Sequence, residues 1–198
     1  MWTIGLTGSI ASGKSTVLNM FRDLGVPVFS SDDAVHELYR GEAVEPIEAA
    51  FPGTTRNGEV DRSALSRVLR QPGQLTALEA IVHPLVRARV ADFVAGARAG
   101  GAALAIVDVP LLFESRHDYG LDRIAVTIAS DETLRERALK RPGMNVEKLD
   151  AILARQMPQA EKKRRADYIF DTDRPLAETR GAVDTLVKAL RAAPKGHP

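Results

Sequence analysis

The chain has 198 residues, with 27 Lys+Arg against 26 Asp+Glu and a formal net charge of +1. Hydrophobic residues make up 44% and cysteine is absent, which supports a packed core and rules out disulfides, a thiolate zinc site and a cysteine nucleophile. Near-neutrality argues against nucleic-acid or lipid binding by bulk charge. With no bilayer-length apolar run and no signal-peptide pattern at Met1–Thr7, a cytoplasmic protein with no membrane partner is expected.

In chain order, an apolar strand over residues 2–6 leads into Gly8-Ser9-Ile10-Ala11-Ser12-Gly13-Lys14-Ser15 and a helical pattern from Ser15. A second strand covers 26–30, and Ser31 opens another helix. From about Asp33 to Arg98 the pattern is helical, with starts at Asp61 and Gly73. One crossover helix does not need that much chain, so a helical insertion over 33–99 is expected. Leu75, Leu78, Ile81, Val82, Leu85, Val86, Val90, Phe93 and Val94 keep a helix period, and Pro84 predicts a kink or a fresh helix start. Strands at 102–107, 123–128 and 168–170 alternate with helices from Asp131, Val146 and Arg174. Strands alternating with helices predict an α/β fold with a five-stranded parallel sheet. The Ala-rich tail 192–198 is expected to fray.

Gly8 to Ser15 fits G-x-x-x-x-G-K-[ST] fully, between a strand and a helix. Gly8 and Gly13 permit backbone angles and close approaches that a side chain forbids. The N–H groups of Ser9, Ile10, Ala11 and Ser12, with those of the following turn through Thr16, then face a polyphosphate at the positive end of the helix. Lys14 supplies a charge for the β- and γ-phosphates, and Ser15 a hydroxyl for Mg²⁺. Asp108, closing an apolar strand, is the second candidate to hold Mg²⁺. No Asn-Lys-x-Asp segment of the kind that reads guanine is present, which argues against a GTPase.

After the second strand comes Ser30-Ser31-Asp32-Asp33-Ala34-Val35-His36. The carboxyl end of a strand in a parallel sheet faces the ligand crevice, so Asp32 can orient an acceptor hydroxyl and take its proton. The alternative is that Ser31 and Asp32 only cap the helix. Arg137 and Arg141, one helical turn apart, share a face that can neutralise charge on a transferred phosphoryl group, or can simply be solvated. In the run Lys162-Lys163-Arg164-Arg165, solvation or ion pairing is the expectation, with Lys162 set apart.

Gly5-Leu6-Thr7-Gly8 through Ser15, Ser31-Asp32 with His36, Leu78-Glu79-Ala80-Ile81-Val82-His83-Pro84, Asp108-Val109-Pro110-Leu111-Leu112-Phe113-Glu114, and Gln156-Met157 followed by Lys162 and Ala166-Asp167-Tyr168 closely resemble the dephospho-CoA kinases. The resemblance implies ATP-dependent phosphorylation of the ribose 3′-hydroxyl of dephospho-CoA. It also implies a phosphate-loop core (1–32, 100–134, 167–198), a CoA-binding insertion (33–99) and a lid (135–166). By position, Asp32 falls on the catalytic aspartate, with Lys14 and Arg141 beside it in the chemistry and Arg137 with Arg141 on ATP. His36, His83, Leu111 and Glu114 fall on the acceptor side. Ser30 replaces the first acid of the family's Asp-x-Asp, Ile152 a frequent lid arginine with Arg155 nearby, Thr172 a frequent asparagine, and Ser9 and Ala11 frequent glycines. A monomer or weak homo-oligomer is expected. Other small-molecule or nucleoside monophosphate kinases, and a nucleotide-binding switch, are the alternatives. From Arg135 to Arg165 there are ten Lys/Arg and four Asp/Glu, a concentrated basic stretch on the expected lid.

Overall fold

The computed structural model describes residues 1–115 and 117–193; within the tail expected to fray, 194–198 lies outside the described residues. In chain order the elements are β1 (Trp2–Gly8), α1 (Lys14–Asp23), β2 (Val28–Ser30), α2 (Ser31–Leu38), α3 (Val44–Ala50), β3 (Thr55–Arg56), β4 (Glu59–Val60), α4 (Arg62–Val68), α5 (Gln74–Ala99), β5 (Leu104–Asp108), β6 (Arg123–Ile128), α6 (Asp131–Leu139), α7 (Val146–Leu153), α8 (Gln159–Arg165), β7 (Tyr168–Asp171) and α9 (Leu176–Ala192). The main sheet has the order β2-β5-β1-β6-β7, with β1 parallel to β5 and β6, and β6 parallel to β7. All five residues of β5 are buried, as a strand covered on both faces requires, which is why it reads as an unbroken apolar run.

The chain divides into two compact units: Met1–Phe29 with Val94–Pro198, and Ser30–Phe93. In the first, Ile4, Leu6, Val17, Phe21, Ile106, Phe170, Val183 and Val187 form one core cluster. Phe21 meets Phe170 edge-on at 5.9 Å between ring centroids, an arrangement the ring quadrupoles favour. The chain ends are tied as well. Trp2 Nε1 donates to Ala193 O at 2.8 Å, and the Arg123 guanidinium stands 5.6 Å over the Trp2 ring.

In the second unit α2, α3 and α4 bury Leu38, Ile47 and Leu65, and Phe51 is buried just past the end of α3. A β3–β4 hairpin, absent from the sequence expectation, interrupts the helical run. Its Asn57-Gly58 corner has φ of 53 and 78, the two left-handed residues that match a tight hairpin. Helices α3 and α8 were also not foreseen. One further expectation needs correction, and two alternatives are decided. The helix predicted from Arg174 starts at Leu176, behind Pro175. No fresh helix starts at Pro84, because α5 runs through it. Pro84 and Ala80 both lie exposed, so the Ala80 carbonyl that Pro84 leaves without a donor can turn to water. Finally, α2 is capped by Ser30, whose Oγ accepts the Asp33 N–H at 3.2 Å, rather than by Ser31 or Asp32.

The hairpin is anchored by Glu48, which accepts the Gly53 N–H at 2.7 Å, the Thr55 N–H at 3.0 Å and the Thr55 hydroxyl at 2.6 Å. These bonds, led by Gly53, hold its carboxyl below the ordinary glutamate range. A depressed acid stabilises the fold fully above its unfolded-state value and loses that contribution as the pH falls through the folded one. In a series of thermal melts, Glu48→Gln is therefore expected to lower the midpoint at neutral pH and to flatten the acid limb. Parallel acid limbs would rule this out.

Candidate active site

The strand β1 runs straight into the loop Ser9–Gly13, and two close approaches fix its path. A Cβ on Gly8 would fall 2.2 Å from Thr127 Oγ1 and 2.4 Å from Ser12 Oγ. Those two hydroxyls are bonded to each other at 2.6 Å, so no side chain fits. Gly13 has φ 79, and a Cβ there would stand 2.9 Å from Thr172 Cγ2. The first glycine answers a steric demand and the second mainly a conformational one. The first turn of α1 has neither a side-chain cap nor an acidic residue, which leaves its positive dipole end to an anion, although the Thr16 N–H already donates to Gly13 O at 3.0 Å. Ser15 and Thr16 lie exposed in that turn.

Lys14 Nζ sits 2.5 Å from Asp108 Oδ1. Asp108 is 3% exposed at the end of β5, in register with Leu6 of β1. The ion pair compensates two charges that would otherwise be costly to hold there. Among the described residues no cluster of three or more His, Asp or Glu could hold a metal alone. One carboxylate with one hydroxyl, Asp108 and Ser15, fits Mg²⁺, which takes its other ligands from phosphates and water.

Arg137 lies on α6 as the sequence argument has it, but Arg141 does not. Arg141 lies beyond the end of α6 at Leu139, in the exposed turn that follows, so the two arginines do not share a helix face. Arg137 instead forks onto Thr172, donating from Nη1 to Thr172 Oγ1 at 2.9 Å and from Nη2 to Thr172 O at 2.8 Å. Thr172 Oγ1 itself lies 3.0 Å from Ser12 O and 3.1 Å from Ile128 O, so the guanidinium is fixed behind the phosphate loop. It lines a cavity of about 350 Å³ together with Gly13, Thr16, Val17 and Leu176. Thr172 was noted in the sequence only as a departure; its position as the hub of this network had no sequence signal.

Leu111 is 43% exposed in the turn after β5. Glu114 accepts the Met157 N–H at 2.7 Å. Lys162 Nζ lies 2.9 Å from the same oxygen and its side chain is fully buried, unlike its exposed neighbours Lys163, Arg164 and Arg165. The contact is off the hydrogen-bond direction: Lys162 Nζ and Glu114 Oε2 have no hydrogen-bond partner among the described residues. Attraction therefore comes from charge alone.

Within Ser30–Phe93, Asp32 and His36 are exposed and four residues apart on α2, hence on one face. His36 Nδ1 lies 2.7 Å from Arg62 Nη2. A guanidinium only donates, so Nδ1 accepts and the ring proton sits on Nε2. Arg62, which sequence reasoning missed, also stands 5.5 Å over the Tyr39 ring. His83 is half-buried in mid-α5.

A family model described as dephospho-CoA kinase matches residues 2–178. The chain belongs to the dephospho-CoA kinase family. It is 53% identical to the dephospho-CoA kinase of Rhizobium meliloti (strain 1021) over 193 residues, covering 97% of this chain and 100% of that one. It is 49% identical to that of Rhodopseudomonas palustris (strain HaA2) over 199 residues, with both chains fully covered. Among solved structures, TT1252 from Thermus thermophilus matches with a TM-score of 0.82 at 33% identity, covering 95% of this chain and 96% of that one. A shikimate kinase from Bacteroides thetaiotaomicron shares the fold, with a TM-score of 0.53 at 17% identity and coverage of 96% and 98%. In this member of the dephospho-CoA kinase family, Glu114 and Lys162 form a buried contact with incomplete hydrogen bonding, which makes either partner expensive to lose alone. Lys162→Met is expected to cost about 3 kcal/mol by denaturant unfolding, and Lys162→Met with Glu114→Gln to recover part of it. Additive losses would contradict the pairing.

Proposed function

We propose that this chain transfers the γ-phosphoryl group of ATP to the ribose 3′-hydroxyl of dephospho-CoA, giving coenzyme A and ADP, the last step of coenzyme A synthesis. The observation that carries the reading is a complete phosphate loop, with Lys14 against Asp108, inside a chain matched to one kinase family over residues 2–178. The loop N–H groups and the Lys14 ammonium hold the β- and γ-phosphates, which draws Lys14 away from Asp108. Ser15 and the released Asp108 would hold Mg²⁺, which would neutralise phosphate charge. The cavity beside Gly13 receives the adenine ring, with the fixed Arg137 guanidinium against its face.

Asp32 orients the 3′-hydroxyl, whose oxygen bonds to the γ-phosphorus as the bond to the β–γ bridging oxygen breaks. The hydroxyl proton passes to the Asp32 carboxylate. Because Ser30 supplies the cap of α2, Asp32 is not needed for that task. His36 presents its Nε2–H on the same helix face for the acceptor, and His83, Leu111 and Glu114 are further residues for the acceptor in this reading. Arg141 meets charge on the transferred group when the lid, 135–166, closes and excludes water. A cytoplasmic location and a monomeric or weakly associating state belong to the same reading; no helix among the described residues is long and apolar enough to cross a membrane.

ADP release measured with ATP alone, and then with dephospho-CoA, AMP, shikimate or gluconate added singly, tests the substrate. Stimulation by dephospho-CoA is expected; stimulation by AMP only, or by none, would sink the proposal. Asp32→Asn is expected to lower kcat by about 10²-fold or more with the KM for ATP little changed. Asp33→Asn should stay near the parent, and the reverse pattern would move the role to Asp33.

A further inference from the structure

The phosphate loop is gripped at its middle by residues of the expected lid. Ala11 has φ 61, a left-handed conformation that a Cβ disfavours. Its methyl is nonetheless buried, in an apolar cluster with Ala138 and Leu149 against which Ile10, Met144 and Leu153 pack. Beside this cluster Gln156 Oε1 accepts the Ile10 N–H at 3.0 Å. The backbone of Gln156 is itself held, since its N–H donates to Leu153 O at 3.1 Å. The next N–H, that of Met157, goes to Glu114, which stands six residues beyond Asp108 and carries the Lys162 contact.

An N–H held by a glutamine carbonyl is withdrawn from an anion. The groups left to face a polyphosphate then begin at Ala11, without the Ser12 N–H, which donates to Ser9 O at 3.1 Å, and the Thr16 N–H, which donates to Gly13 O at 3.0 Å. We propose that Gln156 is a positioning residue of the phosphate loop. By holding the Ile10 N–H it fixes the turn at Ala11, and with it which N–H groups the nucleotide phosphates meet. Glu114 and Lys162 keep Gln156 in place through the Met157 backbone. One chain of contacts thus runs from the loop after β5, through the base of the lid, to the middle of the phosphate loop. The proposal rests on the nucleotide-binding reading of that loop.

The test uses the full chain and two substitutions. Gln156→Met keeps the length of the side chain and removes the acceptor; Gln156→Glu keeps the acceptor. Amide exchange at Ile10 is followed in the nucleotide-free protein, ADP binding by calorimetry, and KM for each substrate by steady-state kinetics. In Gln156→Met, Ile10 exchange is expected to quicken and ADP binding to weaken, each by about tenfold. KM for ATP should rise with the ADP dissociation constant, and KM for dephospho-CoA should stay within about twofold. Gln156→Glu should keep Ile10 protected, an outcome readable even if the methionine variant fails to fold. Unchanged Ile10 exchange and ADP affinity in Gln156→Met would overturn the role while leaving the kinase reading intact. So would loss of Ile10 protection in Gln156→Glu, or an equal rise of both KM values. A parent protein that fails to bind ADP would remove the nucleotide reading and this role together.

Discussion

The bond between the Ser12 and Thr127 hydroxyls, 2.6 Å long and lying where a Gly8 side chain would be, is the constraint on which the site hangs. It ties the turning phosphate loop to β6 at a depth where neither hydroxyl meets water. A buried hydroxyl needs a partner, so each secures the other and the backbone between Gly8 and Ser12 has one way to go. The Thr172 hydroxyl, 3.0 Å from Ser12 O, and the Arg137 fork then follow. Within the loop only the Ser12 N–H is spent on an internal backbone bond, to Ser9 O at 3.1 Å, because N–H groups offered to an anion cannot also be used to hold the loop. It is stabilised from behind instead, by β6, by the loop after β7 and by the α6–α7 cluster.

The near-neutral charge balance takes on a different meaning in three dimensions. The basic stretch from Arg135 to Arg165 is largely committed within the protein. Arg135 pairs with Asp150, Lys140 with Glu136, Arg165 with Glu161, Lys162 with Glu114, and Arg137 with Thr172. The exposed pairs among these, Arg135 with Asp150, Lys140 with Glu136 and Arg165 with Glu161, contribute little stability, but they set where side chains rest. A count of positive residues therefore overstates what this segment offers to phosphate.

Much of the fold was legible because its strands are buried on both faces and its helices carry marked starts. The strand Arg123–Ile128 and the helices opening at Ser31, Asp131 and Val146 stand where the pattern put them. The missed pieces share a physical reason. Helix α8 reads Gln-Ala-Glu-Lys-Lys-Arg-Arg and has no apolar period to detect, although one lysine is its buried residue. The β3–β4 hairpin has two residues a side, too few for alternation to show. At the site, the loop, Lys14 and Asp108 were legible from local sequence. Arg137 onto Thr172, and Arg62 onto His36, were not, since each joins residues 35 and 26 positions apart. Pairings of that range depend on how elements pack, which periodicity does not carry.

The tie between Trp2 and Ala193 also governs how the molecule can be watched. The chain has one tryptophan, and it sits at the start of β1, whereas the phosphate loop leaves the other end of that strand, about 20 Å away. Its emission therefore reports whether the first strand and the last helix are joined, and is blind by distance to what occupies the loop. The tryptophan signal of this protein belongs to its seam.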